Sequence, residues 1–149
     1  MIKKIIAIVL FSFSFSLTVS AQDDKQITSV IEDYFYGYIH RDSVRLVRAF
    51  DMVNGAMKVP GTFKDGKEYV ANDPFNSLIP NWYSREKLSA EILESCKLTI
   101  KNIDLVEDKI ASAKIHMKVG ETTYIDILSL QKINKDWKIT NKIFVVADK

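Results

Sequence analysis

The stretch TTYIDILSLQKINKDWKITNKIF, residues 122–144, predicts two β-strands joined by a short polar turn. Apolar and polar residues alternate along most of it, which is typical of strands with one buried face. Asp126 is the exception, because this carboxylate falls within the apolar set. Where Asp126 points is therefore the first question that the sequence raises.

Two turns predict the pairing of these strands. A two-residue turn at Gly120-Glu121 places Val119 opposite Thr122, and each step outward pairs the next residues. The further pairs are Met117 with Tyr124, Ile115 with Asp126, Ala113 with Leu128, and Ala111 with Leu130. A turn at Asn134-Lys135 gives Leu130 with Ile139, Leu128 with Asn141, and Asp126 with Ile143. This register collects the apolar side chains on one face, and a slip of one residue would scatter them.

The predicted register places Asp126 on the inner face of the sheet, with Asn141 as its diagonal neighbour. A bare carboxylate is costly there, so Asp126 needs hydrogen-bond partners or a water-filled cavity. Ala111 and Ala113 leave room on the same face, which indicates a pocket. The alternative is that Asp126 and Asn141 form a structural pair that holds the hairpin register.

The alternation continues upstream and predicts an antiparallel meander. In residues 95–105 its phase changes between Ile100 and Ile103, which indicates a β-bulge in a bent strand. Cys96, the only cysteine, is predicted to be a small apolar residue of this strand and cannot form an internal disulfide. Residues 51–69 predict one or two short strands, with turns at Asn54-Gly55, Pro60-Gly61 and Asp65-Gly66. Residues 78–83 predict a short helix or loop.

Two helices are predicted before the sheet. Asp23 or Asp24 is expected to cap the first, whose apolar positions recur every three or four residues. These positions are Ile27, Val30, Ile31, Tyr34, Phe35, Tyr38 and Ile39. Asp42 is expected to cap a second helix over residues 43–50, with Val44, Leu46, Val47 and Phe50 facing inward. Helices followed by a bent sheet predict an α+β fold.

The first 21 residues predict a cleaved secretory signal. Lys3 and Lys4 precede a short apolar run, and small residues at Val19 and Ala21 provide a cleavage site. The alternative, a membrane anchor, would need about 20 apolar residues. We therefore expect an exported protein, periplasmic or secreted, with one domain over residues 22–149 and no membrane association after cleavage.

The charge balance argues against polyanionic partners. The formal net charge is +2, and Lys3 and Lys4 account for it, so residues 22–149 carry equal numbers of basic and acidic residues. Such a chain has no electrostatic basis for binding nucleic acid. The two histidines have no metal-site spacing, so neither a metal nor another cofactor is expected.

At this point the segments YFYGYIHRDS (34–43), LVRAF (46–50) and YIDILSLQKINKDWKITNKIF (124–144) resemble a known family. It is the putative lumazine-binding branch of the nuclear-transport-factor-2-like superfamily. The resemblance implies a cone-shaped α+β fold, in which N-terminal helices pack on a strongly curved antiparallel sheet around an internal cavity. The superfamily includes isomerases, dehydratases, binding modules and dimerisation domains, so the fold does not decide the function.

The leading hypothesis is a non-catalytic protein that binds an unidentified small molecule. Phenols, an amide and a carboxylate between apolar walls suit a partly aromatic ligand. The predicted ligand-binding residues are Tyr34, Tyr38, Trp82, Tyr124, Asp126 and Asn141, with Trp82 closing the mouth. The alternative for the tyrosines is ordinary core packing.

A second hypothesis is an isomerase-like or dehydratase-like enzyme with Asp126 as general acid or base. Tyr34 or Tyr38 would donate to a developing oxyanion. Such relatives need a second acid or a histidine in the cavity, and Asp51 is the only other carboxylate candidate. His116 shares the outer face with two lysines, and His40 ends the first helix.

A third hypothesis is a purely structural dimerisation module. The outer face of the predicted sheet carries an apolar strip of Ile125, Ile127, Phe144 and Val146. A bare strip of this kind would promote aggregation, so a homodimer through the outer face is expected. A homodimer is compatible with binding or with catalysis.

Overall fold

The computed structural model describes residues 22–147 of the chain. The predicted signal, residues 1–21, lies outside this part. Among the described residues, no helix has both the length and the apolar character needed to cross a membrane.

The described chain forms helices and strands in a mixed order. Helix α1 covers residues 22–40. The elements that follow are α2 (Ser43–Ala49), β1 (Ala56–Thr62), β2 (Glu68–Pro74), α3 (Phe75–Tyr83), α4 (Ala90–Ser95), β3 (Lys97–Val106), β4 (Ile110–Val119), β5 (Thr122–Ile133) and β6 (Asp136–Val146). Two helices therefore lie between the strands: α3 agrees with the short helix or loop expected at residues 78–83, whereas α4 was not predicted.

The six strands form one open sheet in the order β2-β1-β6-β5-β4-β3. The meander from β3 to β6 is antiparallel, as predicted. The sheet as a whole is mixed, because β1 runs parallel to β6 through residues 56–58. This corrects the expectation of a purely antiparallel sheet.

Helix α1 lies on the inner face of the sheet, and its predicted apolar stripe is confirmed. Six of the seven positions are buried and Val30 is partly buried. The predicted cap at Asp23 or Asp24 is wrong, because the helix already includes residue 22. Asp23 is instead buried and accepts hydrogen bonds from Trp137 Nε1 (3.0 Å) and Lys132 Nζ (2.6 Å). It thereby ties the start of α1 to the β5–β6 hairpin.

Helix α2 has the predicted cap but a different inner side. The Asp42 side chain accepts hydrogen bonds from the first turn, as predicted. Leu46 and Phe50 are buried as expected, whereas Val44 and Val47 are 69% and 46% exposed. The predicted inward set is therefore half wrong. The buried residues of α2 are Leu46 and Ala49, and Arg45 and Arg48 both pair with Asp33 of α1.

The middle segment forms a β-hairpin and a helix. Asp65-Gly66 makes the predicted turn, with Gly66 at φ +85°. Pro60-Gly61 was predicted as a turn but lies inside β1. Proline is tolerated there because β6 pairs only with residues 56–58, so no ladder bond to β6 needs its missing N–H. Cys96 lies between α4 and β3 rather than within the strand.

The register of the meander depends on two bulges. The β4–β5 pairing and the β3 bulge after Ile100 are both as predicted. A second bulge, between Ser129 and Leu130, was not predicted. Leu130 pairs with Ile139 as expected, but beyond the bulge the register shifts by one residue. The shifted pairs are Leu128 with Lys142 and Asp126 with Phe144, which replace the predicted partners Asn141 and Ile143.

Because of the second bulge, each side chain near the end of β6 lies on the opposite face of the sheet from the one predicted. Lys142 is 3% exposed on the inner face, where Asn141 was expected. The predicted outer strip changes for the same reason, since Phe144 packs against the core. On the outer face, Ile143 pairs with Ile127, and Val145 pairs with Ile125.

The contact between α1 and α2 gives a test of the fold. A Cβ atom on Gly37 would lie 2.8 Å from Leu46 Cγ and 3.0 Å from the Leu46 nitrogen. We expect Gly37→Ala to lower the free energy of unfolding by about 1–3 kcal/mol through overpacking. Helix propensity alone predicts the opposite sign, a gain of about 1 kcal/mol. Urea unfolding measures the difference, and Ser29→Ala, at an exposed α1 position, is the control that should not destabilise.

Candidate functional site

A pocket of about 220 Å³ lies between α1, α3 and the inner face of the sheet. Side chains from both helices, from four strands and from the loop after α3 line it, and most of them are apolar or aromatic. They are Tyr34, Tyr38, Met57, Leu78, Trp82, Arg85, Met117, Tyr124, Lys142 and Phe144.

A buried ion pair lies beneath the pocket. Lys142 Nζ is 2.7 Å from Asp126 Oδ1, and the two side chains are 4% and 0% exposed. The Tyr34 hydroxyl donates a hydrogen bond to the other carboxylate oxygen, Oδ2, at 2.9 Å. Asp126 on β5 thus holds a cation from β6 and a phenol from α1. Oδ2 thus has a hydrogen bond, and Oδ1 has an ion-pair contact that balances the buried charge.

The surroundings shift the protonation equilibria of both partners. Burial lowers the pKa of the Lys142 ammonium, and the nearby Asp126 carboxylate only partly offsets this. Burial also raises the pKa of the Tyr34 phenol well above its usual value, and the Asp126 charge adds to the effect. Tyr34 therefore remains a protonated donor to Asp126 at neutral pH.

Aromatic rings form the helical wall of the pocket. The Trp82 ring stacks on Tyr34, with centroids 5.9 Å apart, and meets Tyr38 edge-on at 5.3 Å. On the sheet side, the rings of Tyr124 and Phe144 lie 6.1 Å apart. Rings on both sides give the pocket flat apolar surfaces.

The rim of the pocket carries a second cation. Arg85, in the loop after α3, donates from Nη1 to the Tyr38 hydroxyl at 3.3 Å. Among residues 22–147, Arg85 has no carboxylate within ion-pair distance. Burial raises the pKa of the Tyr124 phenol, with a further contribution from Tyr38, so Tyr124 also presents a protonated hydroxyl at neutral pH.

Four of the six predicted ligand-binding residues line the pocket; these are Tyr34, Tyr38, Trp82 and Tyr124. Asp126 lies below it, behind the Lys142 and Tyr34 side chains. Trp82 is 5% exposed and forms part of the wall rather than the mouth. The prediction for Asn141 is wrong, because the β6 bulge turns it to the outer face and puts Lys142 beside Asp126.

The room expected next to Ala111 and Ala113 is filled, since both belong to the packed core. The pocket instead lies toward the other end of the strands, near Met117 and Tyr124. Lys142 and Arg85 are the polar pocket residues that the sequence analysis missed. No local sequence pattern indicates that either side chain faces the pocket. The position of Lys142 depends on the β6 bulge, and that of Arg85 depends on the loop after α3.

The remaining candidate residues lie away from the pocket. His116 is on the outer face, as predicted, and His40 is exposed and stacks on Tyr36. The Asp51 carboxylate accepts hydrogen bonds from Val53 N and Asn54 N within its own turn. The part of the chain that the structure describes contains no cluster of three or more His, Cys, Asp or Glu side chains able to hold a metal ion.

The fold matches solved structures along nearly their whole length. An NTF2-like protein of unknown function from Shewanella baltica has a TM-score of 0.69 and 24% identity, with 87% of this chain and 97% of that chain covered. NTF2-like proteins of unknown function from Methylobacillus flagellatus and Silicibacter pomeroyi have TM-scores of 0.65 and 0.66 at 22% and 13% identity. Their coverage is 85% and 86% of this chain, and 94% and 98% of theirs. These likenesses confirm the predicted nuclear-transport-factor-2-like α+β fold.

Sequence comparison gives a family. The family described as putative lumazine-binding has a sequence model that matches residues 22–145. No curated protein matches the chain.

The buried pair gives a test of the site. Asp126→Leu alone leaves the Lys142 charge buried without a partner, and Lys142→Met alone does the same to the carboxylate. Each variant should therefore lower the free energy of unfolding by about 3–5 kcal/mol. The double variant should lose much less than the sum, because no buried charge then remains unpaired. A double-mutant cycle in urea measures this coupling. The exposed pair of Lys67 and Asp65 is the control and should show little coupling; additive losses at Asp126 and Lys142 would contradict the ion pair.

Proposed function

The chain belongs to the family described as putative lumazine-binding, and we propose that it is an exported protein that binds a small molecule in the pocket between α1, α3 and the sheet. The observation that carries this proposal is the pocket wall. Buried aromatic rings from separate elements surround a space that also contains phenol hydroxyls and the Arg85 guanidinium. Mostly apolar walls with a few polar groups are typical of small-molecule sites. Lumazine is not carried over as the ligand, because no contact in this chain singles it out.

The contacts of Asp126 favour binding over acid–base catalysis. Its carboxylate is fully buried, faces Lys142 and Tyr34, and does not line the pocket. A general base must come within hydrogen-bond reach of the proton that it removes. The Tyr34 hydroxyl already donates to Asp126, so this donor is not available to a developing oxyanion.

Export is part of the proposal and rests on residues 1–21, which lie outside the described part of the chain. Their basic start, apolar run and small residues before Gln22 fit a cleaved signal. Cleavage after Ala21 leaves a chain whose first residue, Gln22, already belongs to α1.

Native mass spectrometry tests both parts of the proposal. The protein should be isolated from the periplasm or medium of its producing cells and measured before and after denaturation. We expect a chain that begins at Gln22 and carries a bound small molecule that denaturation releases. Leu78→Trp, which fills the pocket, should abolish the bound mass. Val44→Trp, at a 69% exposed position of α2, is the matched control and should retain it.

Three results would count against the proposal. An intact chain that begins at Met1 in the cytoplasm would contradict export. A bound molecule that persists in Leu78→Trp, with the fold verified by circular dichroism, would show that the ligand lies outside this pocket. A chain without any bound mass, even after incubation with cell extract, would contradict the binding function.

We also propose a homodimer through the outer face of the sheet. Ile127 and Ile143 are both 44% exposed on neighbouring strands, and Val145, 59% exposed, continues the strip beside Ile125. Four branched apolar side chains on adjacent strands form a contiguous surface that soluble proteins usually cover. A second copy would cover it without obstructing the pocket, which lies on the opposite face.

Sedimentation velocity tests the dimer. We expect the wild-type protein to sediment as a dimer and Ile127→Asp to sediment as a monomer, because the new charge would be buried at the interface. Val53→Asp introduces the same charge at an 81% exposed loop position and should leave the dimer intact. A monomeric wild-type protein at micromolar concentration would contradict the proposal.

A further inference from the structure

The charges around the pocket do not cancel. Lys142 and Arg85 are the two charged residues that line it. Asp126 neutralises Lys142 from below, at 2.7 Å. No carboxylate among residues 22–147 lies within ion-pair distance of Arg85, so the pocket has one cation more than it has anions. This excess favours a ligand with a single negative charge.

Arg85 is held in a position to bind such a ligand. Its Nη1 donates to the Tyr38 hydroxyl, which lines the same pocket, so the guanidinium is oriented toward the pocket mouth. A guanidinium has five N–H donors, and the other donors remain for an incoming group. Their planar arrangement matches the two oxygens of a carboxylate.

The walls restrict the remainder of the ligand. Trp82 on one side and Tyr124 with Phe144 on the other present aromatic rings, against which a flat ring system packs well. The volume of about 220 Å³ is smaller than the roughly 300–1,000 Å³ typical of sites for drug-sized molecules. One or two fused rings therefore match the space better than a larger molecule.

We propose that the pocket selects a planar aromatic carboxylate, with its acid group on Arg85 at the rim and its ring between the aromatic walls. This inference rests on the proposed binding function and specifies its ligand class. A carboxylate matches the single unneutralised cation, whereas a phosphate dianion would leave a negative charge uncompensated. Asp126 cancels the charge of Lys142. Arg85 therefore determines that the pocket favours a negatively charged ligand.

Calorimetric titration with three probes of the same shape tests the ligand class. The probes are 2-naphthoate, its neutral carboxamide and 2-naphthylmethylammonium. We expect the wild-type protein to bind the acid at least about tenfold more tightly than the amide, since a charged hydrogen-bonded pair replaces a neutral one. The ammonium probe should bind most weakly of the three.

Variants test whether Arg85 causes the preference for the acid over the amide. Arg85→Gln should bring the acid and amide affinities together while leaving the amide affinity near its wild-type value. Lys87→Gln removes an exposed charge from the same loop and is the matched control, which should keep the preference. Leu78→Trp should weaken all the probes, because it fills the space that the ring occupies.

Several outcomes would overturn the inference while the binding function stands. These are equal affinities of acid and amide for the wild-type protein, a preference for the ammonium probe, or an acid preference that survives in Arg85→Gln. A co-purified ligand that lacks an acid group would also overturn the proposed ligand class. Absence of both probe binding and any co-purified ligand would instead overturn the proposed function itself, so the two failures are distinguishable.

Discussion

The buried ion pair between Asp126 and Lys142 is the interaction on which the rest of the structure depends. It joins β5 to β6, and the Tyr34 hydroxyl adds α1 through the second carboxylate oxygen. Removing one partner would leave a charge without solvent or counterion, which is among the costliest changes in a protein interior. The pair also favours one register. Without the β6 bulge, Asn141 would face inward, and Asp126 would lose its cation.

One additional residue in β6 therefore shapes both faces of the sheet. On the inner face, the bulge brings Lys142 and Phe144 to the pocket. On the outer face, it leaves Ile143 and Val145 next to the isoleucines of β5. Bulges typically redirect side chains near functional sites, and here a single one affects the pocket wall and the apolar strip together. The proposed ligand site and the proposed dimer surface thus share a structural origin.

The bottom of the pocket carries no net charge, whereas its rim carries the charge of Arg85. The Asp126 carboxylate cancels the ammonium below the pocket, while Arg85 stays at the solvent boundary, where its side-chain partner among residues 22–147 is the Tyr38 phenol. A charge at the rim remains hydrated in the empty protein, whereas an unpaired charge at the bottom of the pocket would lose its hydration at a large cost in free energy. Buried aromatic rings from the helices then provide the apolar contact area. In the proposed ligand site, selectivity would therefore lie at the mouth and apolar packing inside.

The sequence by itself determined the elements whose signals are local. The apolar stripe of α1, the cap at Asp42, the two-residue turn before β5 and the phase change in β3 each follow from neighbouring residues. From these signals follow the meander and the inward direction of Asp126, and four of the five aromatic residues that line the pocket were predicted. The family resemblance added the fold that unites them. All of these depend on periodicity and turn chemistry, which act over a few residues.

Only the tertiary structure decided the second bulge and what depends on it. Trp137 and Ile139 begin an alternation that Asn141 interrupts, and residues 143–146 are all apolar, so the pattern of β6 does not indicate a bulge. Asp126 and Lys142 face each other only in the register with the bulge, which gives the buried carboxylate its ammonium partner. Likewise, α2 buries Leu46 and Ala49 rather than Val44 and Val47, and its two arginines pair with Asp33 of α1. Both points depend on side chains from different elements, which meet only when the chain is folded.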